Sequence, residues 1–147
     1  MSAKDDITFH YIIVRGDLAK GDNDAQIGHA AGYSASMYTK EKGEVLPEHT
    51  HVIVLEAPDE KELVGVALTL SANNVPFFAV KEPDPPFNGA WTAIGVIPAP
   101  RKVLAPYLSR LPITKERPCP KCAGIAAAQL AVRRNGENQT GNDTNGT

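Results

Sequence analysis

Cysteine is scarce in this chain: 147 residues hold two, Cys119 and Cys122, and nothing before position 119 could form a disulfide. A disulfide framework for the body is excluded, and Cys119-Pro-Lys-Cys122 stands as a lone pair where structural zinc needs four ligands. His49 and His51 would share a strand face, but they lack a third ligand. Long apolar runs are missing as well. No stretch approaches the roughly 18–20 residues of a membrane span, and the opening MSAKDDITFH has no apolar signal region. The expectation is a soluble, cytoplasmic chain with no membrane partner. Net charge is low, at −2, and uneven. Residues 1–113 carry ten Lys/Arg against fourteen Asp/Glu, about −4, while residues 114–147 carry five against three, about +2. An acidic body is a poor footprint for a polyanion, so any nucleic-acid contact must rest on a local basic patch. No internal repeat is visible.

What is present is 42% apolar residues, enough for a core, in a length that suits one domain. FHYIIVR, 9–15, is rich in β-branched and aromatic residues and predicts a buried strand. A turn-rich, acidic loop follows, in which Asn23 or Asp24 can cap a helix over about 25–42. Ile27, Ala30, Ala31, Ser34, Met37 and Tyr38 form its broad face, with Gln26, His29 and Tyr33 along the edge. Gly28, Gly32 and Ser36 keep the opposite side small enough for another backbone to approach. THVIVLE, 50–56, is a second strand. Asp59 and Glu62 have capping-box spacing at the head of a helix that Asn73-Asn74 stops. PFFAVKE, 76–82, and WTAIGVI, 91–97, are strands flanking the Pro-rich loop 83–90. A last helix falls between Pro98 and Leu111, with Pro106 kinking it or marking its start.

The order β-α-β-α-β-β-α predicts an α/β fold, a single domain with a four-stranded mixed sheet flanked by helices. Its expected extent is 1–113. Residues 114–147 are expected to be a flexible, disordered tail, with a short helix or none over 123–132. Three Asn-x-Thr triplets there match glycosylation sites by composition alone.

Chemistry concentrates in RGDLAKGDNDAQIGHAAG, 15–32, between a strand's C-terminal end and a helix N-terminus, where α/β sheets collect ligands. Arg15, Asp17, Lys20, Gln26 and His29 could converge there. Solvated loop charges, a capping aspartate and a packed histidine would explain the same residues.

This segment resembles the signature of the archaeal/eukaryotic-type peptidyl-tRNA hydrolases through Arg15, Asp17, Leu18, Gly21, Ala25, Gln26, His29, Ala30 and Ala31. VIVLEAPDEKEL (52–63), NNVPFFAVKE (73–82) and TAIGVIPAP (92–100) extend the resemblance in the same order over about 9–113. It implies cleavage of the ester between a peptide and the 3′ end of tRNA, with no metal or other cofactor. The partner would be the acceptor end of peptidyl-tRNA, with a homodimer as a possible assembly. By resemblance, Asp84 orients or deprotonates water and Thr92 hydrogen-bonds the substrate. His29 and Gln26 stand at the mouth, and Lys20 holds a phosphate or developing negative charge. Arg15, Asp17 and Gly89 join the substrate site, and Phe87, expected to be exposed, stacks on the terminal base in preference to Trp91, which suits the core. The chain departs from the family pattern twice. Asp22 stands where the lysine of a Gly-Lys pair is usual, and PDPPFNGA replaces a Gly-Arg-Thr-Gln-like run, with Ala90 where threonine is common. These departures suggest an alternative, a catalytically impaired member acting as an RNA- or protein-binding module. A third reading is hydrolysis of a different acyl ester or amide.

Overall fold

The computed structural model describes residues 7–114; Cys119, Cys122, the 123–132 segment and the Asn-x-Thr triplets lie outside the described residues. The elements are β1 (Thr8–Arg15), α1 (Lys20–Lys42), β2 (His51–Ala57), α2 (Glu60–Ala72), β3 (Phe77–Glu82), β4 (Ala90–Val96), β5 (Ala99–Pro100) and α3 (Arg101–Leu108). The α/β class and the mixed sheet agree with the sequence reading. Four strands form it in the order β2-β1-β4-β3, and the two-residue β5 adds a short fifth beside β1. β1 and β2 are parallel; β1–β4 and β3–β4 are antiparallel. The strands joined by α2, β2 and β3, therefore lie at opposite edges with the two central strands between them.

Local chemistry explains most boundaries. Asp59 accepts the Glu62 N–H at 2.9 Å and starts α2, as its spacing predicts. Gly43, with φ of 71°, ends α1 in the left-handed conformation that costs glycine little. The start of α1 differs from expectation. It begins at Lys20, where Ala19 offers no capping side chain, so neither Asn23 nor Asp24 is the cap. Asn23 instead turns inward within the first turns and donates to the Arg15 carbonyl at 2.9 Å, tying the helix to the end of β1. Pro106 sits inside α3, not at its start.

Among the described residues, two cores hold the sheet between its helices. One gathers Ile13, Leu55, Leu63, Val66, Leu70, Ile94, Val96, Leu104 and Leu108 under α2 and α3. The other, beneath α1, is smaller: Ile12, Val14, Ala30, Val80 and Ala93. The contrast lies in the helices. α2 buries Leu63, Val66, Ala67 and Leu70, whereas α1 buries Asn23, Gln26, Ala30, Ser34 and Tyr38. At roughly 1.5–3 kcal/mol per fully buried large aliphatic side chain, hydrophobic anchoring of α2 far exceeds that of α1. α1 is held instead by close approach and hydrogen bonds. Gly95 of β4 lies directly under it, and a Cβ there would collide with the Ala30 carbonyl and the Ser34 hydroxyl. Close packing thus occurs at Gly95, and not at Gly28 and Gly32, which have open space where a Cβ would stand. His10, beneath the same helix, is 2% exposed and hydrogen-bonds Ser34.

Candidate functional site: a cleft between helix α1 and the edge strand β3

A stripe of α1 at positions 26, 29 and 33 faces the outermost strand. Together, Gln26, His29, Tyr33 and residues 78–84 line a cleft of about 700 Å³. At one end Gln26 Nε2 donates to Glu82 Oε2 at 3.1 Å. The second carboxylate oxygen, Oε1, is 3.4 Å from the Asp84 backbone N–H. At the other end the Tyr33 ring stacks on Phe78, with centroids 4.3 Å apart and planes 16° from parallel. Gln26 is 4% exposed, and its Oε1 is buried without a hydrogen-bond partner among the described residues.

The β3–β4 turn positions the carboxylates. Asp84 O accepts the N–H groups of Phe87 and Asn88 at 3.0 and 3.2 Å, and Gly89 N–H closes onto Glu82 O at 2.7 Å. Asn88 and Gly89 both have positive φ, 49° and 88°, which asparagine and glycine tolerate best. A bulge follows: Val80 pairs with Ala93 and Lys81 with Trp91, leaving Thr92 as the extra residue. Thr92 is fully buried and donates its hydroxyl to Val80 O at 3.2 Å. The bulge lets Trp91 pack with the α2-side core, where Lys81 Nζ lies 5.2 Å above its ring.

The expected site residues divide accordingly. Gln26, His29 and Asp84 share the cleft. Arg15 and Asp17 are bound to each other through two hydrogen bonds, at 2.9 and 2.7 Å. Arg15 also donates to the Trp91 carbonyl at 3.1 Å and lies 4.0 Å from Glu60. Its hydrogen bond to Asp17, joined by the attraction of nearby carboxylates, raises the guanidinium above its already high value. These two latch the ends of β1, β4 and α2 together and are not cleft walls. Lys20 pairs with Asp24 at 2.9 Å, both well exposed. Nine helical positions, or half a rotation, separate it from His29. Phe87 is half-buried in the turn instead of exposed. Thr92 and Gly89 support the cleft wall from behind.

Sequence reasoning missed Glu82 and the Tyr33–Phe78 pair as site features. The alternation of β3 puts Phe78, Val80 and Glu82 on the α1 side, a signal present in PFFAVKE, but their apposition to Gln26 and Tyr33 needs the packing of α1. Among the described residues, no cluster of three His, Cys, Asp or Glu side chains is arranged to hold a metal ion, and no helix is long and apolar enough to cross a membrane.

No curated protein matches this chain. Residues 9–114 match the family model for peptidyl-tRNA hydrolase PTH2, a span that takes in every described strand and helix that builds the cleft, and the chain belongs to that family.

Proposed function

We propose that this protein hydrolyses the ester joining a peptide to the 3′ end of tRNA, in the cytoplasm, at the cleft between α1 and β3. Family membership supports the reaction class. The observation that carries the choice of site is the Gln26–Glu82 hydrogen bond, which aims a carboxylate beside His29 and Asp84. Ester hydrolysis needs an activated water, stabilisation of the tetrahedral oxyanion and a proton for the leaving oxygen. Glu82, with Asp84 next to it, takes a proton as water attacks the carbonyl carbon. The carbon–oxygen bond to ribose then breaks, and the ribose oxygen receives a proton from the carboxylic acid or from His29. Gln26 is a positioning residue that holds Glu82. Thr92 acts the same way, by fixing the bulge behind the cleft. Lys20, at the start of α1, serves as a phosphate contact for the acceptor stem, not as a participant in bond cleavage. Arg15, Asp17, Phe87 and Gly89 maintain the site's frame.

Incubating purified protein with peptidyl-tRNA and measuring free tRNA tests this proposal. Time-dependent release is expected. No release above buffer at equimolar enzyme would sink it. One observation favours a second reading, a binding module without turnover: the cleft is lined by the acidic Glu82 and Asp84, while Arg15 and Lys20 both engage carboxylates. In that case tRNA would bind without cleavage and dissociate steeply as salt rises, or fail to bind even at low salt if the partner is a protein.

A further inference from the structure

The cleft takes its lining from every residue between Phe78 and Asp84. Side chains of a strand alternate between faces, so a cavity touching all of them runs along the strand's edge. β3 ends the sheet order, and among the described residues no strand lies beyond it. The ladder identifies the backbone groups that face outward. Ile97 N–H donates to Pro76 O at 3.0 Å and Gly89 N–H to Glu82 O at 2.7 Å. Alternation between these two points turns residues 76, 78, 80 and 82 inward to β4. The N–H and C=O groups of Phe77, Ala79 and Lys81 therefore point to the open edge, along the cleft.

We infer that this edge holds the peptide portion of the substrate as an added β-strand. The inference rests on the peptidyl-tRNA reading and says how that substrate is recognised. Strand addition draws its affinity from main-chain hydrogen bonds, which suits an enzyme that must accept peptides of any sequence. The geometry also sets direction. Glu82 and Asp84 lie at the C-terminal end of β3, and the Tyr33–Phe78 stack lies at the other. The scissile ester is at the peptide's C-terminus, so the peptide runs parallel to β3, with its last residue at Glu82. Four steps from Phe78 to Glu82, at roughly 3.3 Å each, give about 13 Å, or about four peptide residues. A bare aminoacyl ester has no peptide backbone to pair, so the same edge distinguishes peptidyl- from aminoacyl-tRNA.

The test is a set of N-acetylated peptidyl-tRNAs sharing one tRNA and one C-terminal residue. They carry one to five residues, or single backbone N-methyl groups at successive positions of the longest. Expected are a kcat/KM that rises with length and levels off near four residues, and a fall of about tenfold for N-methylation at alternate positions only. Hydrolysis that proceeds equally well across all lengths and N-methyl positions overturns the inference while leaving the hydrolase reading intact. If no member is hydrolysed, that reading fails, and the edge is judged by amide exchange in the presence of an N-acetyl-tetrapeptide amide. Slowed exchange at Ala79 and Lys81 then supports strand addition, and unchanged exchange there overturns it.

Discussion

Gln26 donates its amide N–H to Glu82 across the cleft and leaves its own carbonyl oxygen buried and unpartnered among the described residues. A buried, unsatisfied acceptor costs on the order of 1–3 kcal/mol, so stability alone does not favour glutamine at this position. Gln26→Leu should therefore leave the melting temperature unchanged or raise it slightly, while kcat falls by about tenfold or more as Glu82 loses its orientation. A parallel loss of stability and activity would mean that Gln26 serves the fold, not the carboxylate.

Removing the carboxylate itself should be more damaging. Glu82→Gln keeps the shape but cannot accept a proton, and a general base contributes about 10²- to 10⁴-fold. kcat should fall within that range, with Asp84→Asn having the smaller effect and His49→Ala none. Equal turnover by wild type and Glu82→Gln would move the base elsewhere, with Asp84 or His29 next to be tested.

Lys20 is expected to act through KM. Its pair with Asp24 is solvent-exposed, and i,i+4 pairs of this kind contribute about 0.3–0.5 kcal/mol at most. Lys20→Ala should leave folding and kcat near wild type, raise KM a few-fold and reduce the salt slope of tRNA binding by about one unit. A fall in kcat with KM unchanged would restore the lysine to the chemical step.

His10 makes the fold sensitive to acid. Ser34 donates its hydroxyl to Ala30 O at 2.7 Å, so the shared hydrogen bond requires His10 Nε2 to be the donor. The neutral ring meets that need, and burial lowers the His10 pKa below its ordinary 6.5. The unfolded chain therefore takes up a proton first. This stabilising contribution is complete above pH 6.5 and is lost as pH falls from there toward the lowered folded value, with a limiting slope of about 1.4 kcal/mol per pH unit. Urea midpoints between about pH 7.5 and about pH 5.5 should fall more for wild type than for His10→Gln, a comparison that cancels the carboxylates common to both. Parallel midpoint curves for the two proteins would contradict it.

Gly95→Ala tests how α1 is seated. The added methyl meets the Ala30 carbonyl and Ser34 hydroxyl of a helix with few large apolar anchors. A loss of about 3 kcal/mol is expected, from the upper part of the overpacking range. Displacement of α1 should also widen the Gln26–Glu82 gap and lower activity at temperatures where the variant remains folded. Normal stability and activity together would show that α1 shifts without consequence.

The amino-acid sequence determined the strands and helices because their signals are local: β-branched runs, the Asp59 cap, a turn crowded with proline, and glycine after Lys42. It also brought Gln26 and His29 onto one helix edge, through spacing alone. It could not say which carboxylate they face. That depends on α1 crossing the sheet at Gly95 and on β3 standing at the edge, and both are outcomes of long-range packing. Lys20 shows the same limit. Proximity in sequence put it with Gln26 and His29, yet the helix begins early enough to turn it half a rotation from His29. Among the described residues, tertiary structure also left β3 at the edge of the sheet, because strand order depends on which surfaces bury together, and not on which segments follow one another.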